Sequence, residues 1–133
     1  MWTHPLPTQC PPQDAKPVNG TLKVYRLVET VPSTDKDWLP YSELEKIEPP
    51  KVPHEDFDDF VNCVKHGISV FTKLRCVKGK RKMKKFKGFK IIEGNITSND
   101  GVVLQTYKPS HHTWWLKTDN PSVTFSEVII DDK

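Results

Sequence analysis

The string Ser110-His111-His112-Thr113-Trp114-Trp115 sets two imidazoles beside two indoles. A neutral imidazole donates at one nitrogen and accepts at the other, and it changes charge near neutral pH. An indole offers a broad apolar face and one N–H. The string follows Pro109 and opens a strand, where neighbours point to opposite faces. His112 therefore shares a face with Trp114, and His111 with Thr113 and Trp115. A plain packing role, with one tryptophan as core anchor and the histidines as flanks, explains the indoles better than the paired imidazoles.

A second candidate is cationic. Between Lys73 and Lys90 ten of eighteen residues are Lys or Arg, mostly Lys, and Phe86 and Phe89 stand at the end of the run. Such a run neutralises phosphates, and its aromatics can stack on bases. Lysine holds phosphate as a point charge without the fork that reads base edges, so non-specific contact is the expectation. The alternative is a solvated face that keeps the domain soluble. On either reading the run lies at the surface, because unpaired buried charges cost several kcal/mol each. Cys63, His66, Cys76, His111 and His112 also make a metal site on paper, but only Cys63 and His66 have tight ligand spacing. No metal is expected. Neither thiol sits where its pKa would fall, so a cysteine nucleophile is not expected either. Three cysteines, Cys10, Cys63 and Cys76, read as free thiols in a reducing compartment.

The elements that must carry these residues follow from pattern. In 133 residues there is room for one core. Residues 1–20 hold five prolines and end in Asn19-Gly20, which reads as an extended or loose arm before a single domain over 21–133. Thr21–Val28 alternates as a half-buried strand. Prolines confine any helix over 30–53 to a short piece around Tyr41–Ile47. Phe57, Phe60, Val61 and Val64 make a helical stripe closed by Gly67. Ile68–Phe71 reads as a buried strand, and a basic helix follows to about Lys85, weakened by Gly79. Strands are expected at Phe89–Glu93, closed by Gly94-Asn95, and at Val102–Tyr107, Thr113–Lys117 and Ser122–Ile130. The sum is a small α+β domain, a mostly antiparallel sheet with one or two helices. Charge is lopsided. Residues 1–59 hold eleven of seventeen acids, while 60–92 hold none. No apolar run spans a membrane, and the first residues lack the basic start and apolar stretch of a secretory signal, so a cytoplasmic protein is expected.

Three pieces in order carry a resemblance: Leu22-Lys23-Val24-Tyr25-Arg26-Leu27-Val28, then Gly67-Ile68-Ser69-Val70-Phe71, then Ile91-Ile92-Glu93-Gly94 leading to His112-Thr113. Together they resemble a small type VI secretion effector toxin with an ADP-ribosyltransferase-like fold. The resemblance implies NAD as substrate, Arg26 on its phosphate or ribose, and Ser69 ordering the nicotinamide ribose. Tyr25, Phe71 and Trp115 join them as cofactor-binding residues, and His111 or His112 lines the nicotinamide or acceptor pocket. That family's third motif supplies a glutamate, for which Glu127 on the last strand is the candidate; Gln105 can only hydrogen-bond, and Glu29 stands at the end of the first strand. His111, His112 and Glu127 are thus the expected catalytic set, with the strands of Arg26 and Ser69 adjacent and both side chains on one side of a cleft. The resemblance also implies an immunity or antitoxin partner and delivery into a target cell. Two other readings stay open: an RNA-binding or RNase-like toxin using residues 73–90, and a non-catalytic protein-interaction module.

Overall fold

Among the described residues the strands are the main regular elements, and they pair into one sheet. The computed structural model describes residues 2–47, 59–118 and 120–129. Its strands are β1 (Lys16–Pro17), β2 (Thr21–Val28), β3 (Ile68–Phe71), β4 (Lys90–Thr97), β5 (Gly101–Tyr107), β6 (His111–Leu116) and β7 (Ser126–Glu127). They form a seven-stranded sheet in the order β1-β5-β6-β3-β2-β4-β7, with every pair antiparallel. Among the described residues three helices, α1 (Tyr41–Ile47), α2 (Asp59–Val64) and α3 (Leu74–Arg81), complete a small α+β domain. β2, β3 and α1 match the sequence reading residue for residue.

Register assigns the faces, because directly opposed residues point the same way. One face presents Val24, Val28, Ile68, Val70, Ile92, Ile96, Trp114 and Leu116, which form the main core with Trp38. Phe125 closes it, stacked on Trp114 at 6.4 Å and edge-on to Trp38 at 5.0 Å. The other face carries two smaller clusters. Phe71, Val77 and Ile91 lie at one, joined by Tyr25 and Leu27; Trp115, Val102 and Cys63 lie at the other.

Several expectations change. Gly94-Asn95 does not end a strand: β4 runs on to Thr97, paired with β2 along its whole length. Gly94 is there because a Cβ would stand 2.5 Å from the Phe125 ring, so the glycine makes room for the core's lid. The expected last strand shrinks to Ser126–Glu127, preceded by a 3₁₀ turn at Pro121–Thr124 that delivers Phe125. Ile130 lies outside the described residues, as does Phe57. In α2 the buried residue is Cys63, while Phe60 is 46% exposed. α3 stops at Arg81 and a separate 3₁₀ turn follows at Lys84–Phe86.

The largest correction concerns the thiols. Cys10 and Cys63 form a disulfide, leaving only Cys76 free. The bond ties the N-terminal arm to α2, and the arm is docked rather than loose. Trp2, Leu6, Cys10 and Ala15 pack on the Trp115 cluster, Thr3 N–H donates to the Leu116 carbonyl at 2.9 Å, and Lys16 and Pro17 pair with β5. Proline spacing shows that the arm is irregular but not what it covers. Trp115 needs the cover, being fully buried with its Nε1 donating to the Cys63 carbonyl at 3.0 Å. No helix among the described residues is long and apolar enough to cross a membrane.

The disulfide closes a loop between residues 53 apart in sequence. Chain-entropy arithmetic for that span gives a stabilisation of about 4 kcal/mol. Cys10→Ser should lower the unfolding free energy in urea by that order, and a reductant should give the same loss in the native chain.

Candidate functional site

Hydrophobic burial on the two ends of the second face leaves a cleft between them, about 590 Å³ in volume. Its walls include Arg26 and Leu27 of β2, Ser69 and Phe71 of β3, His111 of β6, Tyr107 of β5, residues of α1 and α2, and Lys80, Lys85, Phe86 and Phe89 from the basic run. Gly67 lines it too. A Cβ there would meet Thr113 Cγ2 at 2.5 Å, so glycine is what lets the chain leave α2 and pass close over β6 into β3.

Arg26 and Ser69 flank this cleft, but not as a simple pair. β2 and β3 share one bridge, Tyr25 opposite Phe71. By alternation Tyr25, Ser69 and Phe71 share a face and Arg26 belongs to the other. The guanidinium turns into the seam between the strands instead. Its Nη1 donates to the Ser69 carbonyl at 2.6 Å, while Nε and Nη2 donate to the Asp37 carbonyl at 3.1 and 2.6 Å. Its Cζ also lies 5.5 Å from the centre of the Trp38 ring. Burial pushes its pKa down to about 10, opposed by the Asp37 carboxylate, so it stays charged at neutral pH. Asp37 in turn accepts from the N–H groups of Glu29 and Thr34 at 2.8 and 2.9 Å. Three of the five guanidinium N–H groups are thus engaged in holding the fold. The expected sharing of one side by the two side chains does not occur, although both reach the same cleft.

Ser69 and His111 do meet. Ser69 Oγ lies 2.9 Å from His111 Nε2, and His111 Nδ1 lies 2.8 Å from Thr106 Oγ1. Thr106 continues to Thr113 Oγ1 at 3.0 Å. A register shift in the β5–β6 ladder explains the third member: His112 opposes Gln105 and His111 opposes Tyr107, so Thr106 is the extra residue of a bulge. Bulges of this kind re-aim a side chain. Phe71 and Tyr107 stand edge-on to the imidazole at 5.3 and 5.1 Å and fix its plane. Burial, with Lys80 and His112 nearby, lowers the His111 pKa from 6.5 to about 4, so the ring is neutral at physiological pH and offers one donor and one acceptor.

The other sequence candidates lie elsewhere. His112 points to the main-core face with its Nδ1 3.0 Å from the Ser110 carbonyl. Trp115 is a core anchor beneath the N-terminal arm, outside the cleft. Tyr25 packs with the Phe71 cluster and under Lys23, whose ammonium is 5.7 Å from its ring. Glu127 is exposed on β7, on the opposite face from His111 and four strands away in the sheet. Of the other residues considered for the glutamate's place, Glu29 lines the cleft, while the Gln105 side chain donates to the Pro109 carbonyl. Sequence reasoning missed Thr106 and the place of Lys80, because neither a bulge nor a helix docking angle leaves a local signature. No group of three or more His, Cys, Asp or Glu able to hold a metal ion occurs among the described residues, and Cys63 is spent in the disulfide.

Two outcomes follow from this geometry. Arg26→Met should cost about 2–4 kcal/mol, since it leaves two carbonyls without their charged donor; Arg26→Lys should restore little, having no fork to span both. For His111 the folded pKa lies below the unfolded one, so the unfolded chain binds more protons between them. Stability should be level above about 6.5 and fall as pH drops toward about 4. Urea titrations at stepped pH, with His111→Gln as reference, measure the His111 share of that fall. The comparisons with protein-family models, curated proteins and solved structures return no match, so the fold and the cleft stand on the chemistry of this chain alone.

Proposed function

We propose that the protein binds single-stranded nucleic acid, with the cleft as the place where a nucleotide is held. One observation carries the reading: Lys80, Lys85, Phe86 and Phe89 of the basic run line the same cleft as Ser69 and His111. Phosphates meet the lysines as point charges, and a base stacks on an aromatic face. Phe86 and Phe89 support each other edge-to-face at 5.2 Å, and Lys85 sits 5.1 Å from the Phe86 ring. Further along the run Lys78, Arg81, Lys82, Lys84 and Lys87 surround a second hollow of about 460 Å³, which extends the cationic track away from the cleft. Ser69 and neutral His111 supply hydrogen bonds that tolerate any base. The disulfide supports work in an oxidising compartment rather than a reducing cytoplasm.

The NAD-using, ADP-ribosyltransferase-like reading has one observation in its favour: the strands of Arg26 and Ser69 are neighbours and border one cleft. It is the weaker of the two. Arg26 is occupied by the Asp37 and Ser69 carbonyls, and Glu127 is remote from the cleft. The immunity partner that the resemblance implies belongs to this second reading.

Fluorescence anisotropy with a labelled single-stranded RNA, measured across salt concentrations, tests the proposal. Lys80→Glu with Lys85→Glu should weaken binding at least tenfold and flatten the log–log salt slope by about 1.4, the value for two lost phosphate contacts on a single strand. Thermal protection by NAD in a chain that ignores RNA would move the conclusion to the second reading.

A further inference from the structure

The contact between Ser69 and His111 is more built than binding requires. Ser69 is exposed in mid-strand, between buried Ile68 and Val70, and its hydroxyl is within hydrogen-bond reach of an imidazole nitrogen. The imidazole is held at its other nitrogen by Thr106, which a bulge has turned inward, and Thr106 is anchored on Thr113, 1% exposed. Two aromatic edges clamp the ring plane. When Nδ1–H donates to Thr106, the Nε2 lone pair is left for the Ser69 O–H. That is the arrangement of a nucleophile, a base and an orienting group, with threonine in the third place.

We propose that Ser69 is a nucleophile, activated by His111, toward phosphodiester bonds held in the cleft. The proposal rests on the nucleic-acid reading of that cleft. The class of electrophile follows from charge: Lys80 faces His111 from α3, and Lys85 lines the same space, so an anionic phosphoryl group is favoured over a neutral ester. In the first step Ser69 Oγ forms a bond to phosphorus and its proton passes to His111 Nε2. The bond to the leaving oxygen breaks, and that oxygen takes the proton from Nε2. In the second step water attacks the phosphoserine, gives a proton to Nε2, and Ser69 Oγ leaves and recovers it. The sum is one diester and one water giving a monoester and an alcohol. Thr106 is a positioning residue here, acting through the ring.

Labelling by a fluorophosphonate, which loses fluoride as it bonds to an activated serine, tests the nucleophile directly. Peptide mass spectrometry should find the label on Ser69, with none at that peptide in Ser69→Ala. His111→Gln should slow labelling on the order of 100-fold, as expected for loss of a general base. The wild-type rate should be level from pH 6 to 8 and halve near pH 4, the range set by Lys80, by His112 on the same strand and by the burial against Tyr107 and Phe71. Thr106→Val should move that midpoint. Bis(p-nitrophenyl) phosphate should be turned over, and faster than a neutral p-nitrophenyl ester. Label absent from Ser69, an unchanged rate in His111→Gln, or preference for the neutral ester would overturn the proposal. Anisotropy on the wild-type chain, set beside its labelling, separates the two conclusions. If RNA binding stands while Ser69 stays unlabelled, only the nucleophile fails; if wild-type RNA binding fails, the reading of the cleft fails with it.

Discussion

A single charged side chain holds the middle of the sheet together. β2 and β3 share one backbone bridge, and Arg26 fills the seam beyond it, joining the Ser69 carbonyl on one strand to the Asp37 carbonyl in the turn that follows β2. Charge-assisted bonds are among the stronger hydrogen bonds in a protein, and a partly buried guanidinium persists only where its donors are answered. Asp37 completes the arrangement by accepting backbone N–H groups of its own turn. That turn carries Trp38 onto the main core, and Asp37 and Arg26 both line the cleft.

The rest of the architecture is a response to a sheet with two apolar faces and few helices to cover them. The main-core face is sealed by Trp38 and Phe125, two aromatics from irregular segments that pack edge-on to each other. The second face is sealed at one end by α3 and at the other by the N-terminal arm with α2, which the Cys10–Cys63 disulfide fastens together. A chain of 133 residues with short helices gains from such a staple, because its core alone is small. What neither cover reaches becomes the cleft.

Within the cleft the electrostatics are coherent. A cationic wall disfavours protonation of His111, and so does its burial; both keep the imidazole in the form that accepts a proton. The same lysines favour an anionic ligand. Aromatic edges on Phe71 and Tyr107 serve the ring, while Phe86 and Phe89 line the same cleft. A neutral base, a hydroxyl and a positive rim are the features that the nucleic-acid reading draws on.

Much of this was legible in the chain itself. Period-2 alternation drew β2 and β3 to their residues, and prolines set the length of α1, because both signals are local and steric. Alternation also assigned His111 to the face of Thr113 and His112 to that of Trp114 before any register was known. The density of lysine alone required a surface position for the cations of residues 73–90, while Val77 between them is buried. Tertiary structure decided the rest. Cys10 and Cys63 pair because the arm folds back over Trp115, a contact between distant segments that spacing cannot encode. Arg26 turned into a seam because β2 and β3 part after one bridge, and Thr106 reached His111 because β5 carries a bulge. Trp115 and Glu127 fell away from the cleft for the same kind of reason: which strand lies next to which is fixed by the balance of burial over the whole sheet, and no short motif contains that sum.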